Sequence, residues 1–227
     1  MIIISGASRG IGKYLYDKYM DEGIECLGIR KEAIPLKDYP CGVSSVDISE
    51  YSEIEKWVNS KKDYLSNIVL INCAGINYSA KLSQSNNLKW ENVIRVNVIG
   101  TYNLIKCLLP IMEENKWGRI VCFSSVVAQR GVKGTSAYSA SKAALWGLVK
   151  SIATEYGNKG ITANCLNLGY FNIGMINEVP LKIQEEIKKN IPCNEFGDPK
   201  NIYSAINFLI EAEYVNGTTI DINGGLI

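Results

Sequence analysis

The first thirty residues constrain the fold more than any other stretch. They read as a strand over residues 2–5, a loop Gly6-Ala7-Ser8-Arg9-Gly10-Ile11-Gly12, a helix to residue 22, and a second strand over residues 24–29. A strand, a crossover helix and a second strand make a βαβ unit with parallel strands. Gly6, Gly10 and Gly12 allow a tight turn and close backbone approach, and the free N–H groups of a helix start favour an anionic pyrophosphate. A plain turn is the alternative for three glycines taken alone. Their place between an opening strand and a helix favours a phosphate loop in which Ser8, Arg9 and Ile11 also take part.

The same alternation continues. Residues 43–46, 67–71, 120–123, 162–166 and 218–222 read as further strands, and residues 53–61, 88–112, 137–156, 181–190 and 199–211 as helices. Strands alternating with helices predict an α/β fold: a doubly wound, Rossmann-type parallel sheet of about seven strands with helices on both faces. A chain of 227 residues is within reach of one such domain, burying roughly 70% of its unfolded surface. Residues 1–227 are therefore expected to form a single dinucleotide-binding and catalytic domain. Two prolines and two glycines around a short charged helix make residues 168–195 a candidate substrate lid.

Chemistry concentrates in residues 124–142, SSVVAQRGVKGTSAYSASK. The apolar run before it predicts a buried strand that ends on Ser124 and Ser125, at the edge where such sheets open their ligand crevice. The next helix carries Tyr138 and Lys142 four residues apart, on one face. A hydroxyl, a phenol and an ammonium that converge suit proton transfer to or from a carbonyl or alcohol oxygen. A positive charge at roughly 4 Å, with an effective dielectric of about 20, is worth up to ~4 kcal/mol, or about three pKa units on a phenol. Tyr14 with Lys18 and Tyr102 with Lys106 repeat the spacing inside amphipathic helices. Only Tyr138 follows a strand that ends in serine and opens its helix.

The remaining composition works by exclusion. With 24 basic and 23 acidic residues interspersed, there is no electrostatic footprint for nucleic acid or an anionic membrane. Residues 88–112 carry Arg95, Asn97, Asn103 and Lys106, which rules them out as a membrane span. Met1 is followed at once by three isoleucines, leaving no room for a charged leader, so a cytoplasmic location is expected. Seven cysteines with no C-x-x-C pair read as reduced thiols. Histidine is absent, which removes Ser/His and Cys/His nucleophiles and His-based metal sites, and no metal is expected.

At the end of the second strand, NAD-preferring folds usually place an acid. Here Arg30 and Lys31 stand there, with Arg9 nearby, so NADP(H) is the expected cofactor. A solvated loop end is the alternative for Arg30. Asn72-Cys73-Ala74-Gly75 would let an adenosine ribose lie close to the backbone, though a plain strand-to-helix turn explains it as cheaply.

Taken together, these motifs resemble the short-chain dehydrogenase/reductase family over nearly the whole chain. Ser5-Gly6-Ala7-Ser8-Arg9-Gly10-Ile11-Gly12 is similar to its T-G-x-x-x-G-x-G, Asn72-Cys73-Ala74-Gly75 to its N-N-A-G, and the closing I-D-I-N-G-G to its usual C-terminal motif. Asn97, Ser125, Tyr138 and Lys142 stand where its catalytic tetrad would. Within the family the loop looks most like that of the 3-oxoacyl-acyl-carrier-protein reductases. The resemblance implies that Tyr138 is the general acid, that Ser125 holds the substrate oxygen, that Lys142 binds the nicotinamide ribose and lowers the phenol's pKa, and that Asn97 anchors a water relay. Asp47, Ile48 and Phe171 complete the implied cofactor contacts. Two departures stand out: Cys73 replaces an asparagine, and Ile173 replaces the threonine of P-G-x-x-x-T.

The expected activity is NADP(H)-dependent interconversion of a ketone and a secondary alcohol. Two other readings are an NADP(H)-binding sensor or scaffold without turnover, and a sugar enzyme, either a keto-sugar reductase or an epimerase of the larger relatives. The expected partner is a small carbonyl or alcohol substrate, thioester-linked or free. Val126, Val127, Tyr170, Phe171, Met175 and Ile176 would wall it, Gln129 and Arg130 would be the polar contacts, and Lys116 and Lys159 would meet an acidic carrier. A homo-oligomer, dimer or tetramer, is expected from the apolar surface of the helix after Tyr138 (Ala143, Ala144, Leu145, Trp146, Leu148, Val149).

Overall fold

Every residue of the first strand, β1 (Ile2–Ser5), is buried, as a strand covered by helices on both faces must be. The computed structural model describes residues 1–31 and 42–227. After β1 come α1 (Gly10–Asp21), β2 (Cys26–Arg30), β3 (Val43–Ser45), α2 (Tyr51–Lys61), β4 (Ile68–Asn72), α3 (Asn87–Ile94), α4 (Gly100–Asn115) and β5 (Gly118–Ser125). Then follow α5 (Val126–Arg130), α6 (Ser136–Tyr156), β6 (Ile161–Leu168), α7 (Leu181–Lys189), α8 (Lys200–Glu211) and β7 (Thr219–Ile222). Cys41 lies outside the described residues.

The seven strands form one parallel sheet in the order β3-β2-β1-β4-β5-β6-β7. Alternation along each strand divides the core. Ile3, Leu70 and Ile120 pack on one face with Leu104 and Leu145, while Ile4, Ile71 and Val121 pack on the other with Leu15 and Ile206. The chain builds outward from β1 to β3 and then returns to β4 on the other side of β1. The switch in direction opens a crevice beyond the carboxyl ends of β1 and β4, where Ser5 pairs in register with Asn72.

Three local expectations change. The helix expected over residues 88–112 is interrupted by a π turn at Arg95–Ile99, because the Thr101 hydroxyl takes the Asn97 carbonyl as its acceptor at 2.7 Å. Strands β5 and β6 are longer than their apolar runs. Ser124, Ser125, Asn164 and Asn167 are buried strand residues, and Arg119 is buried because it donates to the carbonyls of Gly118, Gly160 and Ile210. Finally, Lys116 and Lys159 precede β5 and β6, at the amino edge of the sheet, so the length of β5 separates Lys116 from Ser125 by about 25 Å. Neither lysine reaches a substrate held at Ser125 of the same chain. No described helix is long and apolar enough to cross a membrane.

Candidate active site

At the end of β1 the glycine loop is built for close backbone contact. A Cβ on Gly12 would lie 2.2 Å from the Gly6 carbonyl oxygen, so only glycine lets the loop fold back on the start of α1. Gly10 has φ +56°, and a Cβ there would also meet the backbone of Gly174 at 3.1 Å. Helix α1 has no side-chain cap and no acidic residue in its first turn. Its first N–H groups and positive dipole end therefore suit a phosphate. These features fit the pyrophosphate of a dinucleotide.

Around this loop, the basic residues are already engaged. Arg9 pairs with Glu178 at 3.3 Å, and Lys31 with Asp47 at 2.6 Å. Arg30 is 5% exposed and partnered within the protein, which corrects its reading as a solvated loop end. The Asp47–Ile48 turn is fixed from α4: Asn103 Nδ2 donates to the Ile48 carbonyl at 3.2 Å, and Gly100 leaves room for the Ile48 side chain. Asp47 is held below its usual carboxylate range by hydrogen bonds from Lys31 and Ser49, against the opposing effect of burial.

A buried chain of hydrogen bonds leads from this crevice toward the β5 edge. The Ala74 amide donates to Ser5 Oγ at 3.2 Å, Ser5 Oγ to Asn72 Oδ1 at 2.5 Å, and Asn72 Nδ2 to Thr101 Oγ1 at 2.6 Å. Thr101 donates in turn to the Asn97 carbonyl. The Asn97 side chain clamps Ile76, accepting from its amide at 2.8 Å and donating to its carbonyl at 2.9 Å. Its second amide hydrogen goes to Ser141 Oγ at 2.9 Å, and Ser141 donates to the Tyr138 carbonyl at 2.8 Å.

Ser125 ends β5 and accepts from the Val127 amide, opening α5. Two turns of loop later, Thr135 and Ser136 start α6, with the Trp90 indole donating to Ser136 at 3.2 Å. This places the Tyr138 phenol near the Ser125 hydroxyl, which favours its ionised form. Lys142 is 4% exposed. Its Nζ donates to the Phe123 carbonyl at 2.7 Å, lies 5.6 Å from the centre of the Tyr138 ring, and sits beside Gly75 and Asn97.

The electrostatics differ from the sequence expectation. Burial pushes the Tyr138 phenol up to about 12, opposed by the nearby Ser125 hydroxyl. Burial likewise lowers Lys142 to about 8, partly offset by the thiols of Cys122, Cys165 and Cys73. The ammonium is anchored on a strand carbonyl rather than aimed at the phenol, so desolvation wins over Coulomb attraction in the protein without ligand. The other two Tyr/Lys pairs lie on helix surfaces: Lys18 pairs with Glu22 and Lys106 lies over the Tyr51 and Tyr102 rings.

A cavity of ≈ 230 Å³ opens along α5, which follows Ser125 directly, and is lined by Val126, Arg130, Gly131, Val132, Tyr170, Ile187, Asn190 and Leu226. Of the expected wall residues, Val126 and Tyr170 line it. Val127, Phe171 and Ile176 are buried instead, and Met175 is half exposed. Phe171 packs into the core on the α8 face and lines a second cavity beside Gly197. Gln129 is turned away from the cavity by its hydrogen bond with Asn167.

The chain matches the family model described as Enoyl-(Acyl carrier protein) reductase over residues 6–227. The chain belongs to the short-chain dehydrogenase/reductase family. It is 32% identical to a 3-oxoacyl-(acyl-carrier-protein) reductase of Buchnera aphidicola over 98% of this chain and 95% of that protein. It is equally 32% identical to nodulation protein G of Azospirillum brasilense, over 99% of this chain and 96% of that protein. Among solved structures, the ligand-free aldohexose dehydrogenase of Thermoplasma acidophilum superposes with a TM-score of 0.89 at 28% identity, covering 99% of this chain and 92% of that one. Further 3-oxoacyl-acyl-carrier-protein reductases, from Thermotoga maritima and Vibrio harveyi, are 32% and 30% identical to this chain, and the family is one of oxidoreductases.

Against the family pattern, the two departures are absorbed locally. Cys73 leaves the strand end intact, its amide donating to the Ser5 carbonyl at 3.2 Å. Ile173 packs against the core next to the glycine loop. Ser5, Thr101 and Ser141 were missed by sequence reasoning. The signal for Ser141 was its place directly before Lys142 and three residues after Tyr138, which turns it inward with them.

Proposed function

We propose that the protein is an NADP(H)-dependent oxidoreductase that interconverts a ketone and a secondary alcohol. The observation that carries this reading is Lys142, set 5.6 Å from the centre of the Tyr138 ring and hydrogen-bonded to the strand that ends on Ser125, at the carboxyl edge that also bears the uncapped glycine loop. Gly6, Ser8, Arg9, Gly10, Ile11 and Gly12 would hold the pyrophosphate and adjacent ribose, and Asp47, Ile48, Asn72, Ala74 and Gly75 would line the adenosine. Arg9 and Arg30 would meet the 2′-phosphate, which requires Arg9 to exchange Glu178 for the nucleotide. The nucleotide supplies the hydride when bound.

The protein's own part is orientation and proton handling. Ser125 holds the carbonyl oxygen. Tyr138, kept neutral by burial, donates its proton to that oxygen as it gains negative charge, and an ionised Lys142 stabilises the phenolate left behind. Asn97 has its side chain fully committed to Ile76 and Ser141, so it acts by fixing the backbone around Lys142 and Tyr138. The segment 168–195 serves as a lid: α7 buries none of its residues, and Gly174 rests on Gly10. The protein works in the cytoplasm on a small substrate.

The name of the structural neighbour from Thermoplasma favours a second reading, a sugar substrate. The mostly apolar lining of the cavity along α5 weighs against it, since a sugar's hydroxyls need polar partners. A screen of NADPH oxidation with β-ketoacyl thioesters, cyclic diketones, quinones and keto-sugars decides between them. Turnover confined to keto-sugars would reject the apolar-substrate reading, and NADPH binding with no turnover of any carbonyl would favour a sensor or scaffold.

A further inference from the structure

The chain contains five arginines, and four are engaged. Arg9 pairs with Glu178, Arg95 with Glu50 and Arg119 with Glu213, and Arg30 is buried and partnered. Arg130 makes no hydrogen bond or ion pair among the described residues. It is an exposed residue, and the one charged residue lining the cavity of ≈ 230 Å³ along α5.

Two of its lining residues neighbour the reacting groups. Val126 follows Ser125 in the chain, and Tyr170 is close enough to Tyr138 to oppose its ionisation. Arg130 ends α5, five residues beyond Ser125, which places its backbone about 7.5 Å along the helix axis. The remaining lining is Val126, Gly131, Val132, Tyr170, Ile187, Leu226 and the single amide of Asn190, with no carboxylate. A helix-terminal cation needs no ligand to explain it, since it complements the end of α5. A guanidinium at an acid-free, largely apolar cavity nevertheless has five donors in a fork that matches a carboxylate or phosphate.

We propose that the substrate carries an anionic group, which Arg130 binds while the ketone oxygen rests on Ser125 and Tyr138. This rests on the reductase reading above and narrows its substrate class. The cavity is smaller than the roughly 300–1,000 Å³ of sites for drug-sized ligands, so the reacting part is short: a small keto acid, or a short acyl group whose carrier arm brings a phosphate to Arg130. The shared chemistry is an anion on the ketone's own chain, close to the ketone in a keto acid and at the far end of the arm in a carrier-borne acyl group.

Matched pairs test it. One arm compares 4-oxopentanoate with its methyl ester; the other compares 3-oxobutanoyl phosphopantetheine with 3-oxobutanoyl pantetheine. For each, kcat/KM with NADPH and calorimetric binding to the protein–NADP⁺ complex are measured in the wild type, Arg130→Gln and Arg130→Lys, with folding checked by thermal melting. The anionic member of one pair is expected to be favoured at least tenfold, mainly through KM. That preference should collapse in Arg130→Gln and return in part in Arg130→Lys. The responsive arm identifies the source of the anion. An anion preference that Arg130→Gln leaves unchanged, or no preference in either pair, overturns the proposal. Binding that shows the Arg130-dependent preference without any turnover sustains it while rejecting the reductase reading.

Discussion

Lys142 donates to the carbonyl oxygen of Phe123 at 2.7 Å, two residues before the serine that ends the same strand. The contact holds an ammonium inside the protein, and burial draws its pKa down to about 8. It also leaves the phenol of Tyr138, up at about 12, as a neutral donor across the working range.

A pH dependence follows for ketone reduction. The reaction needs Tyr138 protonated, which holds to about 12, and Lys142 charged, which is lost as pH rises through about 8. The pH profile of kcat/KM should be level below neutrality and fall above about pH 8. A profile flat to pH 10 would contradict the assignment of the lysine.

Ser141 is expected to act through Asn97 and Tyr138 rather than on substrate. Ser141→Ala leaves one buried amide hydrogen of Asn97 without its acceptor, a cost of about 1–3 kcal/mol. Urea denaturation should show a loss of that size, with kcat lowered more than KM is raised. A loss under about 0.5 kcal/mol with normal turnover would mean that the chain of hydrogen bonds does not position Tyr138.

How much of this was legible in the sequence depends on which force decided each feature. Strand β1 was readable to the residue because Ile2, Ile3 and Ile4 form an apolar run that both sheet faces require. The glycine loop and the shared face of Tyr138 and Lys142 were readable because backbone sterics and helix spacing are local. The π turn was not, since Asn97 is also held by Ile76 from outside the helix, a contact that the helical spacing of Thr101 does not reveal. The inverted electrostatics of Tyr138 and Lys142 were missed for a related reason: charge spacing is visible in a sequence, but desolvation is not. Lys116 and Lys159 misled because a charge count does not say which edge of a parallel sheet a loop occupies.

Cofactor choice is tested at Arg9. Charge-assisted hydrogen bonds to a 2′-phosphate contribute about 1.5–3 kcal/mol. Arg9→Ala should therefore weaken NADPH binding more than roughly tenfold and leave NADH nearly unchanged, as read by nucleotide fluorescence. Equal losses for both nucleotides, or tighter binding of NADH by the unmodified protein, would reject NADP(H).

An oligomer is expected through the outer faces of α4 and α6. Ile99, which ends the π turn before α4, and Tyr102 in α4 are 47% and 46% exposed; in α6, Leu145 and Val149 are buried while Ala144 is exposed and Trp146 and Leu148 are half-buried. The sheet thus covers part of the α6 apolar surface and leaves the rest for a second copy. Light scattering at micromolar concentration should report a dimer or tetramer; a monomer would remove the idea.

The most direct test of the account is NADPH oxidation with a reducible ketone by Tyr138→Phe, with nucleotide binding followed in parallel. Removing one hydroxyl that serves as general acid should lower kcat by about 10²–10⁴-fold while the NADPH dissociation constant stays within a few-fold of the wild-type value. Full turnover by Tyr138→Phe would contradict the mechanism, because the proton would then have another source.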